Sequence, residues 1–267
     1  MKLFNKKKEK VTVQEVEHKT LHQNLSFTAT EQYKLLRTNI EFTLPHGEKC
    51  HVVGVTSSMR GEGKSTTAIN LSYVLAEKGS RVVIIDGDLR IPSVAKKLQI
   101  KSTPGLTNLL MDGLGDFERF KSTLLDNWYI VPAGDIPPNP SELLGSERMK
   151  ELLDELKEQF DYIIVDLPPV NIVSDALSIS PFIDGMVVVV REEYTEKKEL
   201  TRCMRQLSLS NVKVLGCVLN EASSGNGSYG KYKYKKYKHG YGYGYGYGYY
   251  KSYKGNDETT SKENNDK

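Results

Sequence analysis

Short runs of aliphatic residues recur along this chain and limit the folds open to it more than any other feature. Runs such as 82–85 and 187–190 show no polar alternation, which predicts strands covered on both faces. Segments with helical spacing, such as 65–78, separate these runs. Strands that alternate with helices form a mostly parallel sheet with helices on both faces. The sequence therefore predicts an α/β protein with strands at 51–56, 81–86, 128–132, 162–166, 186–191 and 212–220.

Composition divides the 267-residue chain into four parts. Residues 1–28 form a polar, lysine-rich segment without periodicity, and residues 29–46 hold the pattern of an amphipathic helix. That helix is predicted over 30–42, with Thr28 or Thr30 as its N-cap. Residues 47–222 carry the apolar runs and are predicted to form one globular domain. In residues 223–267 Gly, Tyr, Lys and acidic residues replace the aliphatic ones, so this tail is predicted to be disordered.

Charge and cysteine content exclude several classes of protein. The formal net charge of +3 is too small to require nucleic acid as a partner. Cys50, Cys203 and Cys217 are odd in number and widely spaced, which supports neither a disulfide framework nor a zinc site. A reducing cytosol fits this pattern. Cys217 lies in an apolar run and is expected to be buried.

No apolar run approaches the ~18 residues of a membrane-spanning helix, and the first residues lack the apolar core of a signal peptide. The chain is therefore not expected to cross a membrane by itself. The lysines at 6–8 could touch anionic lipid, although a solvated terminus is the simpler interpretation.

Residues 52–66 have the pattern of a strand, a glycine-rich turn and the first turn of a helix. They match the phosphate-loop consensus G-x-x-x-x-G-K-[ST], except that Ser58 replaces the first glycine. In such a loop backbone N–H groups face an anion, the lysine reaches the β- and γ-phosphates, and the hydroxyl binds Mg²⁺. The sequence therefore predicts nucleotide binding by Ser58, Arg60, Gly61, Glu62, Gly63, Lys64, Ser65 and Thr66.

Carboxylates stand at the ends of two other apolar runs. Asp86 and Asp88 follow one run and Asp166 ends another, at the sheet edge where α/β proteins bind ligands. Such acids hold the water shell of Mg²⁺ and orient or deprotonate an acceptor hydroxyl. For the first pair, a helix N-cap plus a surface acid is the alternative. We predict Lys64, Asp86, Asp88 and Asp166 as catalytic, and Ser65 with the three aspartates as the metal site.

Two roles stay open at this stage. Either Asp86 or Asp88 could act as the base towards the acceptor hydroxyl. Arg90 could stabilise phosphate charge or hold the loop in place through an ion pair.

The tail contains a run of tyrosines for which the tail itself offers no apolar core. A nucleotide site in the same chain as many phenolic hydroxyls indicates a kinase that modifies itself. About 30 flexible residues span roughly 30 Å, so a tail tyrosine could enter an active site of its own or of a neighbouring copy. The candidate phosphate acceptors are Tyr229, Tyr232, Tyr234, Tyr237, Tyr241, Tyr243, Tyr245, Tyr247, Tyr249, Tyr250 and Tyr253.

Over about residues 30–254 the chain resembles the bacterial tyrosine kinases of capsule and exopolysaccharide synthesis, whose fold is that of the partition and septum-site ATPases. Residues 57–66 resemble the family's Walker A segment, 84–90 its second acidic motif and 163–169 its Walker B segment. Residues 137–144 resemble the loop that precedes a helix in this family. The resemblance implies that ATP, with Mg²⁺, phosphorylates tail tyrosines of a neighbouring subunit.

The sequence departs from the family pattern at two places. Arg60 stands where the family often has proline. The ring-forming motif E-x-x-R-x-x-R is represented by Glu31, Lys34 and Arg37, and the lysine lacks the guanidinium fork. A ring of subunits is the expectation from this motif, and an ordinary helix with surface charges is the alternative.

The resemblance also implies partners and a location. It implies a cytoplasmic protein at the inner face of the membrane, held there by a separate transmembrane activator of the polysaccharide co-polymerase type. It further implies a cognate tyrosine phosphatase and allows other protein substrates.

Two other functions fit parts of the sequence. A partition- or septum-type ATPase switch would use the same phosphate loop without kinase activity, but Met59 stands where that class has its signature lysine. A Tyr/Lys/Gly-rich tail could also bind single-stranded nucleic acid by stacking.

Overall fold

A computed structural model describes residues 25–45 and 47–222 of the chain. The predictions made for residues 1–24 and for the tyrosine-rich tail, 223–267, lie outside the described residues. Within the described residues strands alternate with helices, and the predicted α/β class is confirmed.

A parallel sheet forms the centre of the fold, and each of its strands begins and ends within two residues of the predicted bounds. The strands are β1 His51–Ser57, β2 Val82–Asp86, β3 Trp128–Val131, β4 Tyr162–Asp166, β5 Gly185–Arg191 and β6 Val214–Asn220. Their order across the sheet is β3-β2-β4-β1-β5-β6. Because β4 lies between β1 and β2, the carboxyl ends of these three strands meet at one edge, where open α/β sheets bind ligands.

The described part of the chain contains eight α-helices, of which α1 precedes the sheet and the others lie between its strands. They are α1 Phe27–Thr43, α2 Lys64–Glu77, α3 Val94–Leu98, α4 Leu106–Asp112, α5 Pro140–Leu144, α6 Glu147–Lys157, α7 Asp175–Ser178 and α8 Lys197–Leu209. Short 3₁₀ turns cover Phe117–Phe120 and Ser180–Phe182. None of the described helices combines the length and the apolar content that crossing a bilayer requires.

The core consists of two apolar layers, one on each face of the sheet. Helices α1 and α2 cover one face, and α4, α6 and α8 cover the other. Neighbouring residues of a strand point into different layers, as Val83 and Ile84 of β2 do. This two-sided burial explains why the strand interiors are mostly apolar, as in β2 and β5.

Helix α1 packs on the domain through its apolar stripe. Ile40 and Leu44 are buried, and Tyr33 and Leu36 pack beside them. The predicted N-cap is wrong, since Ser26 caps the helix by accepting a hydrogen bond from the Ala29 amide at 3.3 Å. Ser26 has the extended backbone of an N-cap, whereas Thr28 and Thr30 already lie inside the helix.

The prediction that Cys217 is buried is also wrong, because its side chain is exposed. Cys217 lies on β6, an edge strand that is only partly covered. An apolar run therefore indicated the strand correctly but not its position in the sheet.

Candidate active site

The phosphate loop connects β1 to α2 and contains two glycines with positive φ. Gly61 has φ +79° and Gly63 has φ +96°, a region that L-residues rarely adopt. A Cβ atom at Gly63 would also collide with the side-chain amide of Asn220. The first turn of α2 follows directly, with its unpaired backbone N–H groups at the loop. The predicted anion-binding geometry is therefore present.

The Glu62 side chain stabilises the phosphate loop through hydrogen bonds on the protein side of the loop. Its fully buried carboxylate accepts hydrogen bonds from the Ser58 hydroxyl at 2.8 Å and from the Met59 amide at 2.9 Å. The Thr195 hydroxyl, from the segment between β5 and α8, donates to the same carboxylate. Ser58 thus uses the hydroxyl that the consensus glycine lacks, and the Glu62 side chain points into the protein. Glu62 belongs to the nucleotide loop through its backbone.

Three consecutive carbonyls of the loop are held by side chains at the ends of β5 and β6. Tyr194 donates to the Arg60 carbonyl at 3.1 Å, and Arg191 donates to the Gly61 carbonyl at 3.2 Å. Asn220 donates to the Glu62 carbonyl at 3.1 Å. Sequence reasoning missed these three residues, although Arg191 and Asn220 end predicted strands at the ligand edge.

Lys64 lies at the centre of the predicted catalytic residues. Its ammonium is 2.8 Å from Asp88 Oδ2, 3.5 Å from Asp166 Oδ1 and 3.3 Å from Ser65 Oγ. Burial lowers the pKa of Lys64, but Asp166 and Asp88 outweigh this effect, and the net shift is upward. The ammonium therefore stays charged where phosphate oxygens would arrive.

Asp86 and Asp88 have different surroundings. Both oxygens of Asp86 accept backbone hydrogen bonds, from Asp88 at 3.2 Å, Ser93 at 3.0 Å and Val94 at 2.9 Å. Asp86 therefore fixes the loop after β2 and the start of α3. Asp88 accepts one backbone bond, from Ile91 at 3.1 Å, and its other oxygen pairs with Lys64.

The alternative considered for Asp86 and Asp88, a helix N-cap plus a surface acid, is correct only in part. Asp86 does bind the N–H groups at the start of a helix, whereas Asp88 is buried beside the phosphate loop and is not a surface acid. Burial, with the negative charge of Asp166 adding to it, raises the pKa of Asp86 to about 7.

Asp166 stands opposite Asp86 in the β2–β4 register and is fully buried. Burial raises its pKa, while Lys64 and a hydrogen bond from Ser65 oppose that rise. Its Oδ2 atom is buried without a hydrogen-bond partner in the described part of the chain. An unsatisfied buried carboxylate oxygen beside Ser65 fits an incoming metal-bound water.

Ser65 and Asp166 are the side chains that could contribute to a Mg²⁺ site. No group of three His, Cys, Asp or Glu side chains within residues 25–45 and 47–222 could hold a metal ion by itself. A hydroxyl, water and substrate phosphates complete the shell in phosphate-loop enzymes, so few protein carboxylates are needed. Ser65 and the free oxygen of Asp166 fit such a shell.

Of the two roles considered for Arg90, the structure shows the ion pair that holds the loop. Its Nε and Nη2 atoms donate to the two oxygens of Asp175 at 2.8 and 3.0 Å. Asp175 is fully buried at the start of α7, so this ion pair fixes the loop after Asp88 to another element.

The residues predicted for oligomer contacts lie on α1. Lys34 pairs with Glu31 of the same helix at 3.0 Å, and Arg37 donates to the Val74 carbonyl of α2 at 2.7 Å. Arg37 therefore has a role within the chain, and the ring contact stays a prediction.

Together, the fold and the site define a phosphate-loop nucleotide-binding protein. The family model described as the AAA domain matches residues 50–214. The tyrosine-protein kinase YwqD of Bacillus subtilis (strain 168) is 38% identical over 204 residues, which are 76% of this chain and 86% of that protein. The tyrosine-protein kinase CpsD of Streptococcus agalactiae is 35% identical over 207 residues, 76% of this chain and 88% of its own.

A solved structure with a similar fold is also a tyrosine kinase domain. The kinase domain of the Escherichia coli tyrosine kinase ETK has a TM-score of 0.66 and 28% identity, covering 75% of this chain and 79% of that one. The chain belongs to the bacterial tyrosine-protein kinases, and protein-tyrosine kinase is its enzyme class. The resemblance stated from the sequence is confirmed.

Proposed function

We propose that this chain transfers the γ-phosphoryl group of ATP to tyrosines of residues 223–267 in a neighbouring copy. The observation that carries the proposal is the convergence of Lys64, Ser65, Asp88 and Asp166 at the phosphate loop. The proposed phosphate acceptors are the tail tyrosines, which follow the domain in the sequence.

In the proposed reaction the phenolic oxygen forms a bond to the γ-phosphorus, and the bond from that phosphorus to the β–γ bridging oxygen breaks. ADP leaves, and the phenolic proton passes to a carboxylate. We assign that carboxylate to Asp88, because the oxygens of Asp86 already accept three backbone hydrogen bonds. Lys64 stabilises the charge that develops on the transferred group.

Mg²⁺ would be held by Ser65 and, through water, by Asp166, and would neutralise charge on the phosphates. Asp88 is close enough to Lys64 to exchange its ion pair for a place in the water shell. Asp86 supports the roles of Asp88 as base and as metal ligand, because it accepts a hydrogen bond from the Asp88 amide and so holds the loop that carries Asp88.

The wider role follows from the family. We propose that the kinase regulates the synthesis and export of a capsular or extracellular polysaccharide. It would act at the inner face of the membrane with a separate transmembrane activator, assemble with copies of itself, and be reset by a tyrosine phosphatase. A partition-type ATPase switch is not favoured, because the curated relatives YwqD and CpsD are named tyrosine-protein kinases.

The test is incubation of the full chain with Mg²⁺ and γ-labelled ATP, followed by mass spectrometry of residues 225–267. Phosphotyrosine in the tail, absent in Lys64→Met and strongly reduced in Asp88→Asn, supports the proposal. Hydrolysis of ATP with an unmodified tail, even with the cytoplasmic peptide of a candidate activator added, supports the ATPase switch.

A further inference from the structure

Tyr194 is the most exposed of the five tyrosines in the described part of the chain. Its side chain is 52% exposed, and it lies in the short segment between β5 and α8. The other four are buried or half-buried: Tyr33, Tyr73, Tyr129 and Tyr162. Within the described residues, Tyr194 is therefore the phenol most open to the active site of another copy.

The hydroxyl of Tyr194 also supports the phosphate loop. It donates to the Arg60 carbonyl at 3.1 Å, and a Cβ atom at Gly61 would lie 3.5 Å from it. Arg191 donates to the next carbonyl, that of Gly61, at 3.2 Å. The Cζ atom of Arg191 lies 5.0 Å from the centre of the Tyr194 ring. Tyr194 and Arg191 thus pack against each other while they hold successive carbonyls of the loop.

We propose that Tyr194 is a phosphorylation site in addition to the tail, and that phosphate on it weakens ATP binding by the chain that carries it. The inference rests on the proposed function, because a second copy supplies the phosphate. The Tyr194 phenolic oxygen forms a bond to the γ-phosphorus of ATP bound to that copy. The bond from this phosphorus to the β–γ bridging oxygen breaks, ADP leaves, and the phenolic proton passes to Asp88 of the copy that holds the ATP.

Phosphorylation removes the hydrogen bond that Tyr194 donates to the loop. The ester oxygen carries no proton, and the phosphate oxygens act as acceptors. Because the Arg60 carbonyl is also an acceptor, the modified ring cannot keep its place against the loop. The phosphate also carries about −1.5 to −2 charges, which repel the phosphates of an incoming nucleotide.

Arg191 adds to the same effect. A guanidinium binds a phosphate more strongly than a neutral carbonyl, because the hydrogen bonds are charge-assisted and two can form side by side. A phosphate on Tyr194 therefore draws Arg191 away from the Gly61 carbonyl. Two of the three side-chain hydrogen bonds to successive loop carbonyls are then lost.

The effect on ATP is measured on full chains in which Tyr194 is replaced by phosphotyrosine through genetic-code expansion. Every tail tyrosine is changed to phenylalanine, so that tail phosphate does not contribute. Titration with a fluorescent ATP analogue and Mg²⁺ should give a Kd at least about tenfold above that of the chain with unmodified Tyr194. Treatment with a tyrosine phosphatase should restore the lower Kd. An unchanged Kd in the phosphorylated chain overturns the proposal.

Two controls separate the hydrogen bond, the local charge and the general charge. Tyr194→Phe loses the hydrogen bond without gaining charge, so its Kd should lie between those of the unmodified and phosphorylated chains. Phosphotyrosine in place of Leu209, which is 74% exposed at the opposite end of α8, adds the same charge away from the loop and should leave the Kd unchanged. An equal rise with phosphate at either position would show general repulsion and overturn the proposal.

The transfer is tested by mixing two chains with Mg²⁺ and ATP. The acceptor carries Lys64→Met, an intact tail and heavy nitrogen, so its peptides are recognised by mass. The donor keeps Lys64 and has phenylalanine at every tail tyrosine. We expect phosphate on the acceptor's tryptic peptide of residues 192–197, which contains Tyr194. Phosphate on the acceptor's tail without any on this peptide overturns the present inference and leaves the proposed function standing, whereas phosphate on neither overturns both.

Discussion

Arg90 donates two hydrogen bonds to the two carboxylate oxygens of Asp175, at 2.8 and 3.0 Å. The pair joins the loop after β2 to the start of α7, across 85 residues of sequence. Asp175 is fully buried, and within the described part of the chain Arg90 is the cation that compensates its charge.

Replacing Arg90 by alanine should therefore lower the free energy of unfolding by about 1–3 kcal/mol, the cost of a desolvated carboxylate that loses its hydrogen bonds. Urea denaturation measures the free energy of unfolding of the variant and of the unmutated chain. Asp175→Asn and the double variant complete a double-mutant cycle. A coupling free energy near zero would contradict the structural role assigned to the pair.

Thr195 positions the phosphate loop through Glu62, and Thr195→Val removes that hydroxyl while keeping the shape of the side chain. We expect the KM for ATP to rise about five- to thirtyfold, corresponding to a loss of 1–2 kcal/mol. Thr195→Ser keeps the hydroxyl and should restore most of the affinity. An unchanged KM in Thr195→Val would show that the loop holds its shape without this contact.

Substitutions at Gly63 and Gly79 distinguish the cost of a positive φ from the cost of a steric collision of the added Cβ atom. Both have positive φ, but a Cβ at Gly63 meets Asn220, whereas a Cβ at Gly79 meets nothing within 4 Å. Gly63→Ala should abolish binding of a fluorescent ATP analogue. Gly79→Ala should cost about 1–2 kcal/mol of stability and leave nucleotide binding intact. Retained binding in Gly63→Ala would contradict the loop geometry.

The three cysteines should differ in reactivity. Cys50 and Cys203 are buried, and burial raises the pKa of each to about 12, so both stay protonated thiols at pH 8. Burial also raises the pKa of Cys217, but its side chain is exposed.

At pH 8 a maleimide should label Cys217 first, and the rate should rise with pH as more thiolate forms. Mass spectrometry identifies the labelled peptide, and Cys217→Ser should remove the fast phase. Labelling of Cys203 at the same rate would contradict its burial.

Local patterns predicted much of this protein. The strand bounds followed from short, mostly apolar runs, and the phosphate loop followed from its glycine and lysine spacing. The proximity of Asp86 and Asp166 followed from parallel strands ending at one edge. Each of these depends on neighbouring residues or on a general rule of parallel sheets.

What the sequence did not show depends on contacts between distant residues. The pairing of Arg90 with Asp175, the hydrogen bond from Thr195 to Glu62, and the different roles of Asp86 and Asp88 are set by loop paths. The exposure of Cys217 depends on β6 being an edge strand, which hydrophobicity alone does not reveal.

The most direct test of the central claim mixes two variants of the full chain. One carries Lys64→Met and an intact tail, so it can only accept phosphate. The other keeps Lys64 and has phenylalanine at every tail tyrosine, so it can only donate. With Mg²⁺ and γ-labelled ATP, we predict phosphotyrosine in residues 225–267 of the Lys64→Met chain only when both variants are present. An unlabelled tail in the mixture, while the unmutated chain labels its own, would contradict transfer between copies.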